Sequence, residues 1–493
     1  MIRLILMLIA IAGPAFAQHG IYAEQTTYTT AESPVVYVST NSGSAFNILI
    51  LNSANSTIRT DSVTEPAQTD SATPWLDAEW SRSRTLSPIG DTGLYQITID
   101  PTTLLDAATI AATATNGTTN LLWKEVIYVL PVGAPSADDV LIIGSSLTDT
   151  AYQKYGGKSL YDNPYASQVG LYRPGVDSNF VARALQACII VLAASKTCLY
   201  ADDLYIQDNP SYLNNFTMVI LNGLHEYGTY RLRQAYKAYV NQGGRMLITG
   251  GEALIRQLRD EPGGLYTGHR APEWSADPIV SDGIASNDHL AAYHVVSPFI
   301  NDPEAGVVGS SLWMGMNPTA VSGTGDNWTL YRTGHWLFTG GGYSDGDGLK
   351  TGNLLDANDF VDGLKLKMQG GLPYVIDHDQ YGVPHETMIL GTIETSNAIP
   401  TDCGTGTYQS DFESDVSCEV SGHGVISITT YGGNGGAVLH IPEVGIMAHS
   451  SPGTPLRQVL VNAVTKMANP AAFDPFDGFP LRARGVGVIG SGN

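Results

Sequence analysis

The chain has 493 residues, of which 43% are hydrophobic, so it is long enough to build two or three domain cores. Acidic residues outnumber basic residues by 47 to 25, and the formal net charge is −22. A field of this sign repels phosphate backbones and anionic lipids, which argues against nucleic acid and acidic membrane surfaces as partners. The charge is spread along the chain and predicts a solvated acidic surface.

The first residues, 1–17, have the pattern of an export signal. Arg3 precedes the apolar run 4–11, and the small-x-small sequence at 15–17 is typical of a signal peptidase site. The apolar run is too short to cross a bilayer, and no later segment of the sequence is apolar for long enough to span one. We therefore predict a signal peptide and a secreted or periplasmic protein without a membrane span.

The four cysteines are predicted to form two disulfide bonds. An even count in an exported protein favours disulfides, and the absence of a Cys-x-x-Cys spacing argues against a metal site. The pairs closest in sequence are Cys188–Cys198 and Cys403–Cys418. Because each loop is short, each bond is expected to contribute at most about 3 kcal/mol on the chain-entropy estimate.

Residues 20–132 are predicted to form an immunoglobulin-like β-sandwich. Alternating apolar runs at 35–38, 47–51 and 94–99 are separated by polar turn clusters, as in an all-β domain. Histidines and carboxylates do not cluster in this region, so we expect a structural or adhesive role. The Gly- and Pro-containing segment 132–136 is predicted to be the linker.

An α/β domain is predicted over 137–468. Buried-type strands are expected at 140–143, 218–221, 245–249 and 437–441, and helices at 179–194, 230–240, 252–259 and 455–467. Strands that alternate with helices at this spacing predict a doubly wound, mostly parallel sheet. A β-type insertion is expected at about 401–430, and a loosely ordered tail at 469–493.

Two strand–helix junctions place a carboxylate beside glycines, where ligands bind in open parallel sheets. Glu226 lies in the segment 222–227, and Glu252 follows Gly250 and Gly251. Each carboxylate is interpreted either as a metal ligand or general base, or as an ordinary capping residue of a first helical turn. His225 in the first junction is similarly either a proton-transfer group or an ordinary hydrogen-bonding residue.

A tyrosine-rich segment, 151–161, follows the first predicted strand of the α/β domain. Tyr152, Tyr155 and Tyr161 flank a Gly-Gly pair at which a pocket could form. A phenolate is a hard oxygen ligand suited to ferric iron, whereas the alternative interpretation is a packed, tyrosine-rich loop.

A second aromatic segment, 334–342, precedes Asp345 and Asp347. The spacing of these aspartates does not match a calcium-binding loop. We therefore predict aromatic packing on a strand followed by a glycine turn.

Five motifs, taken in order, resemble the C-terminal domain of the N,N-dimethylformamidase large subunit. The family sequence Ala-Tyr-Asn-x-Trp-Gly-Gly-x-Ser-Leu-Tyr corresponds to residues 151–161 here, and the family Arg-Pro pair corresponds to 173–174. The family sequence Gly-His-Asp-Glu-Tyr-Trp corresponds to 223–228, and Gly-Gly-x-Leu with the following Gly-Gly-Asn corresponds to 243–252. The last motif, His-Trp-Val-Phe-x-Gly-Thr-Gly, corresponds to 335–342. The resemblance covers 137–395, with a tail to about 468.

The resemblance implies a fold similar to class I glutamine amidotransferases, whose nucleophilic cysteine would fall at 250–251, where this chain has none. It further implies hydrolysis of a small-molecule amide with a mononuclear ferric iron (Fe³⁺) held by two tyrosines and a glutamate. The corresponding ligands here are Tyr152, Tyr161 and Glu226, with Tyr95 as an alternative to the second tyrosine.

Three positions depart from the family pattern. The position of the family histidine is occupied by Leu224 here, and His225 is displaced from it by one residue. Glu252 replaces a family asparagine, and Lys365 occupies the position of a catalytic carboxylate of the family. An acid-to-lysine change removes a general base. The predicted catalytic residues are therefore His225 and Glu252, the latter also a candidate partner for Lys365.

Two functions remain open after these observations. One is an exported, metal-dependent hydrolase of an amide C–N bond, and the other is a non-catalytic surface or binding protein that retains the scaffold with a degenerate site. A secreted carbohydrate-active enzyme is a third, weaker alternative, and self-association as a homo-oligomer is left open. The hydrolase requires the carboxylate of residue 226 to lie within roughly 8 Å of the phenols of 151–161, so that one ion can join them.

Overall fold

The structure is a computed structural model. It describes the residues 20–39, 45–64, 72–73, 76–78, 80–100, 125–161, 166–173, 178–251, 253–268, 305–310, 328–349, 361–364, 366–375, 386–394, 423–443, 445–471, 473–476 and 479. The predicted signal peptide, Glu252, Lys365 and the pair Cys403–Cys418 lie outside these ranges. None of the helices within them is both long and apolar enough to cross a membrane.

Two β-sheets build the N-terminal region. The first sheet contains, in spatial order, β1 (Gly20–Ala23), β3 (Val35–Ser39) and β6 (Ser83–Thr85), and the second contains β2 (Thr27–Thr29), β8 (Glu125–Leu130), β7 (Gly93–Ile99), β4 (Ala45–Leu51) and β5 (Thr57–Thr64). Every second residue of β4 is buried, the period expected of a strand with one face on the core. Ile48 and Ile50 of β4 share a hydrophobic cluster with Val36 and Val38 of β3, which gives this region the predicted all-β character.

The α/β region is built on one large sheet. Its described strands follow the order β11 (Thr197–Asp202), β9 (Asp139–Gly144), β12 (Met218–Asn222), β14 (Arg245–Thr249), β23 (Gly436–Ile441), β22 (His423–Tyr431), β21 (Thr387–Glu394) and β17 (Thr329–Leu330), with β18 (Val361–Leu364) also paired to β22. The strands from β11 to β23 are parallel, and the pairs beyond β23 are antiparallel. The chain is therefore a mixed α/β protein.

The prediction of a mostly parallel sheet is wrong for the half that begins at β22. β22 and β23 are joined by a short glycine-rich turn in which Gly432, Gly433 and Gly435 have positive φ. Such a turn can connect only antiparallel neighbours, because a parallel connection needs a crossover of a dozen or more residues. Since β22 starts at residue 423, the end of the segment predicted as an insertion belongs to the main sheet, and residues 401–422 lie outside the described ranges.

Helices cover both faces of the main sheet. The described α-helices are α1 (Ser146–Tyr152), α2 (Ser178–Ala193), α3 (Asp203–Asp208), α4 (Tyr230–Asn241), α5 (Ala305–Val308) and α6 (Pro455–Met467), and 3₁₀ turns occur at Tyr155–Gly157, Pro210–Asn215 and Trp336–Phe338. Successive residues of β9 point to opposite faces: Val140 and Ile142 join the cluster beneath α2 and α6, and Leu141 and Ile143 join the one beneath α1 and α4. This two-sided burial explains the continuous apolar strands that the sequence showed.

The predicted helix at 252–259 is wrong, because this segment contributes to a strand. β15 (Arg256–Glu261) lies in a second sheet of order β10 (Gln168–Gly170), β16 (Leu265–Thr267), β15 and β13 (Tyr227–Thr229). β15 and β16 form a hairpin whose turn contains Gly263 and Gly264, both with positive φ. The Pro-Gly-Gly sequence of that turn was the local signal for a hairpin. A further hairpin joins β19 (Leu366–Gln369) to β20 (Leu372–Val375).

The N-terminal sandwich and the α/β region share one hydrophobic core across the predicted linker. Leu94, Val126 and Tyr128 of the sandwich belong to the same buried cluster as the strands of the main sheet. Polar contacts reinforce this junction, since Thr27 Oγ1 donates to Asp202 Oδ1 at 2.8 Å. The two regions are therefore packed together rather than loosely tethered.

The predicted disulfide Cys188–Cys198 is confirmed. It connects α2 to β11, and the two Cα atoms lie 5.6 Å apart.

The segment predicted as a loosely ordered tail packs on the domain where it begins. Phe476 is buried in the main core, and the Trp336 indole donates to the Asp474 carbonyl at 2.9 Å. His335 Nε2 donates to the Pro475 carbonyl at 2.7 Å, so the segment 334–342 anchors this chain end. That segment forms a 3₁₀ turn rather than the predicted strand, although its aromatic packing was anticipated. Residues 480–493 lie outside the described part of the chain.

Candidate functional site

Tyr152 and Glu226 meet at the carboxyl edge of the main sheet. Tyr152 is the last residue of α1, which follows β9, and Glu226 lies just beyond the end of β12. The Tyr152 hydroxyl donates a hydrogen bond to Glu226 Oε2. β9 and β12 are parallel neighbours, and the carboxyl ends of such strands lie at one edge of the sheet. The topology thus joins two side chains that are 74 residues apart in sequence.

Hydrogen bonds from α1 and its N-terminal end hold the loop that carries Glu226. The Ser145 hydroxyl donates to the Leu224 carbonyl at 2.6 Å, and the Tyr227 amide donates to Thr148 Oγ1 at 3.1 Å. The loop leaves β12 through Gly223, whose φ of 93° lies in the region that favours glycine. These bonds fix the direction of the carboxylate relative to Tyr152.

The capping interpretation of Glu226 is wrong. The helix that follows, α4, begins at Tyr230, and β13 separates Glu226 from it. The actual N-cap is Thr229, whose hydroxyl accepts a hydrogen bond from the Leu232 amide at 3.1 Å. The position of Glu226 is therefore not explained by helix capping.

Glu226 is a fully buried carboxyl group beside one cation. Its side chain is 0% exposed, and Arg256 Nε, on a side chain that is 13% exposed, lies 3.6 Å from Oε1. Burial raises the pKa of Glu226, while the charge of Arg256 and the hydrogen bond from Tyr152 oppose that rise. Oε1 has no hydrogen-bond partner among the described residues. Another positive group near the carboxyl would favour its ionised form.

Tyr161 stacks on Tyr152, so two phenols of the tyrosine-rich segment share the site. Their ring centroids are 4.0 Å apart and their planes differ by 23°. Tyr227 meets Tyr152 edge-on, with centroids 6.0 Å apart. Tyr152 therefore contacts each of the other two predicted metal ligands, Tyr161 and Glu226.

The other tyrosines considered in the sequence lie elsewhere. Tyr155 is buried against Trp80, with ring centroids 6.4 Å apart. Tyr95 is buried in the core of the N-terminal sandwich, and its hydroxyl donates to the Asp91 carbonyl at 3.1 Å. Tyr95 thus lies in a different core from that of Tyr152 and Glu226.

His225, which precedes Glu226 in the chain, is buried, and its ring is held neutral. Burial lowers the pKa of His225 to about 3, and the positive charge of Arg183 adds to this effect. At neutral pH the ring is therefore a hydrogen-bonding group that gains a proton only with difficulty. Glu252, the other predicted catalytic residue, and Lys365 are not among the described residues.

The sequence analysis missed a buried serine–histidine pair at the same sheet edge. His440, near the end of β23, donates from Nε2 to the Gly250 carbonyl at 2.9 Å. Because a carbonyl can only accept, Nδ1 carries the lone pair that accepts from the Ser310 hydroxyl at 2.7 Å. Both side chains are fully buried, and burial lowers the pKa of His440 to about 4. A lone histidine within the otherwise apolar run 436–441 was the only sequence signal.

Arg256 was also missed, because the sequence placed it within the predicted helix 252–259. As part of β15, its backbone amide donates to the Glu226 carbonyl at 2.8 Å, and its side chain then reaches the carboxylate. Within the described ranges, no three His, Cys, Asp or Glu side chains converge on a common metal-binding position. An ion at this site would therefore need the phenol oxygens in addition to Glu226.

The chain matches the profile of a known protein family. The profile of the family described as N,N-dimethylformamidase beta subunit-like, C-terminal, matches residues 51–430. The match begins at the end of β4, within the N-terminal sandwich, whereas the motif resemblance began only at residue 137. The shared core of the two regions is consistent with this longer unit. No curated protein matches the chain.

Proposed function

The chain belongs to the N,N-dimethylformamidase beta subunit-like family, and from this premise we propose that it is a metal-dependent hydrolase of the C–N bond of small-molecule amides. The observation that carries the proposal is the direct contact of the Tyr152 phenol with the buried Glu226 carboxylate. Buried carboxyl groups of raised pKa at strand ends are common in functional sites.

The residues at the site fit a ferric ion by their chemistry. Tyr152 and Tyr161 offer phenol oxygens and Glu226 offers a carboxylate, all of them hard ligands. Oε1 of Glu226 lacks a hydrogen-bond partner in the described part of the chain, which leaves an acceptor at the site. When bound, the ion supplies Lewis acidity toward the amide carbonyl.

The neighbouring side chains orient the ligands. Arg256 lies beside Glu226 and favours its ionised form, and the Tyr161 ring restricts the rotation of Tyr152 by stacking. His225, which precedes Glu226 in the chain, is neutral because it is buried and offers a hydrogen-bonding nitrogen. Amide hydrolysis also requires a proton for the leaving nitrogen, and we assign that transfer to Glu252.

The test is metal analysis of the purified protein after it has been supplied with iron(III). We expect about one iron per chain and a visible tyrosinate-to-iron charge-transfer band, since a phenolate ligand would produce such a band. Glu226→Ala and Tyr152→Phe should lose the iron and the band. Tyr155→Phe is the matched control, because Tyr155 lies in the same segment but packs against Trp80. A folded wild-type protein that takes up no iron would contradict the proposal.

The alternative function is a non-catalytic binding protein that retains the scaffold. The specific observation that favours it is the Arg256–Glu226 ion pair, because a guanidinium already supplies a cation to the carboxylate. Under this alternative, iron(III) does not change the melting temperature, and Glu226→Ala lowers stability without altering metal content. The iron measurement above therefore separates the two functions.

We also propose the finer features of the architecture and its location. The sandwich is of immunoglobulin-like type, and the α/β region is similar to class I glutamine amidotransferases. The disulfide Cys188–Cys198 is compatible with an oxidising compartment, which supports export to a secreted or periplasmic location. A second disulfide, Cys403–Cys418, and self-association into a homo-oligomer are tested by thiol counting and by light scattering.

A further inference from the structure

His440 projects from the main sheet toward the face on which Tyr152 packs. Successive residues of a strand point to opposite faces of the sheet. Val438, two residues before His440 in β23, belongs to the buried cluster against which Tyr152 packs, whereas Leu439 and Ile441 belong to the cluster on the other face. The His440 ring is therefore directed to the side of the sheet on which Tyr152 lies.

A histidine at this otherwise apolar position is costly unless its ring nitrogens are paired. Burial lowers the pKa of His440 to about 4, so at neutral pH the ring is neutral and carries one N–H. That hydrogen is on Nε2, because the Gly250 carbonyl at 2.9 Å can only accept. Ser310 completes the pairing by donating its hydroxyl hydrogen to Nδ1 at 2.7 Å. An apolar side chain would fill this position without either bond, so the histidine points to a role for the carbonyl that it holds.

Both polar backbone groups of Gly250 are bound to β23. The Gly250 amide donates to the Ile441 carbonyl at 3.1 Å, and the Gly250 carbonyl accepts from His440. Gly250 is buried and directly follows β14, at the point where the chain leaves the main sheet. Loss of His440 would remove a hydrogen bond from a buried carbonyl, and it would free this turn to move.

Gly250 in turn packs directly against the loop that carries Glu226. A Cβ placed on Gly250 would lie 2.4 Å from the carbonyl oxygen of Gly223 and 3.3 Å from its Cα, so the two backbones are in contact. The Gly223 amide also donates to the Thr249 carbonyl at 2.6 Å. Glu226 follows Gly223 by three residues. A displacement of Gly250 would therefore move the start of the loop that places the Glu226 carboxylate.

Ser310 reaches His440 from a separate element that is itself held in place. Ser310 lies just after α5, whose residue Val307 is buried in the cluster on the Tyr152 side of the sheet. The Tyr431 hydroxyl, from β22, donates to the Val307 carbonyl at 2.6 Å. The Ser310 hydroxyl is thus presented to Nδ1 from a fixed helix end and sets the orientation of the ring.

We propose that Ser310 and His440 are positioning residues of the candidate active site. Ser310 orients the His440 ring, and the ring holds the Gly250 carbonyl. Gly250 then keeps the Glu226 loop where its carboxylate meets the phenol of Tyr152. The inference rests on the metal-dependent function proposed above, because it assigns the two residues to the geometry of the proposed ligands.

The first test is a double-mutant cycle in the full-length protein without iron, between His440→Leu and Tyr152→Phe. Each single substitution should lower the midpoint of urea denaturation. Because His440→Leu already disturbs the contact between Glu226 and Tyr152, the double variant should lose less than the sum of the two single losses. Additive losses would overturn the proposal.

Tyr239→Phe is the matched control for this cycle. The Tyr239 hydroxyl donates to the Phe216 carbonyl at 3.1 Å, a buried bond just before β12 begins and thus at the opposite end of that strand from Glu226. Its loss should lower the urea midpoint and should add to the loss caused by Tyr152→Phe. Coupling as large as that of His440→Leu would show that the coupling is not specific, and it would overturn the proposal.

The second test is titration with iron(III), followed by the tyrosinate-to-iron charge-transfer band. His440→Leu should bind iron at least about tenfold more weakly and shift the band, because a displaced Glu226 changes the geometry of the ligands. His440→Gln retains an amide N–H for the Gly250 carbonyl and should recover most of the affinity. Tyr239→Phe should bind iron like the wild type.

The two tests separate this inference from the function on which it rests. Iron binding by the wild type, with equal affinity and an equal band in His440→Leu, overturns the positioning role and leaves the metal site intact. If the folded wild type takes up no iron, the proposed function fails, and the double-mutant cycle alone decides the positioning role. If His440→Leu does not fold, Ser310→Ala replaces it in both tests, and additive losses with wild-type iron affinity overturn the inference.

Discussion

The Tyr152 hydroxyl donates to Oε2 of Glu226, while Oε1 of the same carboxylate faces Arg256 Nε at 3.6 Å. The carboxylate is thus held from both sides by residues from different elements, α1 and β15. A site of this kind is sensitive to removal of either partner, because a buried charge without compensation is costly.

Loss of Arg256 should destabilise the fold through Glu226. We expect Arg256→Met to lower the free energy of unfolding by about 3 kcal/mol, because it leaves a fully buried carboxyl group without its cation. Adding Glu226→Gln should recover part of this loss, because the charge itself is then removed. Urea denaturation at neutral pH measures both effects.

The control for this pair is Arg259→Met on the same strand. Arg259 pairs with Glu261 at 2.6 Å, but both side chains are partly exposed. Breaking such a pair is expected to cost at most about 1 kcal/mol. Equal losses for Arg256→Met and Arg259→Met would show that the Glu226 contact has no special energetic role.

Stability should fall as the pH rises from about 6.5 to 8, a range in which His225 and His440 are largely neutral in the folded and the unfolded state, and Glu125 should contribute to the slope. Its pKa is raised from the ordinary value of 4.5 to about 8 in the folded protein, so the folded state retains a proton that the unfolded state has already released. Each unit of difference corresponds to about 1.4 kcal/mol. Glu125→Gln should flatten the slope in urea denaturation across this range.

The slope should not vanish in Glu125→Gln, because burial also raises the pKa values of Asp202 and Asp203. Asp138→Asn, an exposed substitution, should leave the slope unchanged. An identical slope in the wild type and Glu125→Gln would show that Glu125 ionises normally in the folded protein.

Removal of the disulfide Cys188–Cys198 should destabilise the protein. The double substitution of both cysteines by serine is expected to lower the free energy of unfolding by about 2–3 kcal/mol, since the bond restricts the unfolded chain over a sequence separation of 10 residues. Denaturation of the wild type with and without reductant provides the comparison. A midpoint that both treatments leave unchanged would contradict a stabilising role.

Gly250 should not tolerate a side chain. Its φ is 142°, and a Cβ there would overlap the carbonyl oxygen of Gly223, in the loop that leads to Glu226. We expect Gly250→Ala to cost several kcal/mol of stability and to weaken iron binding at the proposed metal site. Gly133→Ala is the control, because Gly133 also has positive φ, at 114°, but a Cβ there meets nothing within 4 Å. Similar melting temperatures for the two variants would refute the packing argument.

Local pattern in the sequence predicted much of the framework. The apolar run 140–143 became β9, the helix expected at 455–467 became α6 (Pro455–Met467), and Cys188 and Cys198 are bonded. These features depend on neighbours close in the chain: periodic burial, a capping residue with a following proline, and a short loop between two thiols. They are therefore visible without knowledge of the tertiary structure.

Pairing between strands that are distant in the chain was harder to predict from the sequence. The strand β15 carries charged residues at most positions, and it is a strand because β13 and β16 pair with it. Local spacing alone predicted a helix at 252–259. For that reason Arg256 was not among the candidate site residues. Hydrogen bonding to distant strands overrides such weak local preference.

By itself, the sequence determined which residue types were available for the site, namely the tyrosines of 151–161 and a carboxylate after a buried strand, and the family to which their order belongs. Only the tertiary structure decided that Tyr152 touches Glu226 and that Arg256 completes the group. The reason is physical: these contacts join residues far apart in the chain, and their geometry is set by the packing of strands and helices that no local pattern encodes.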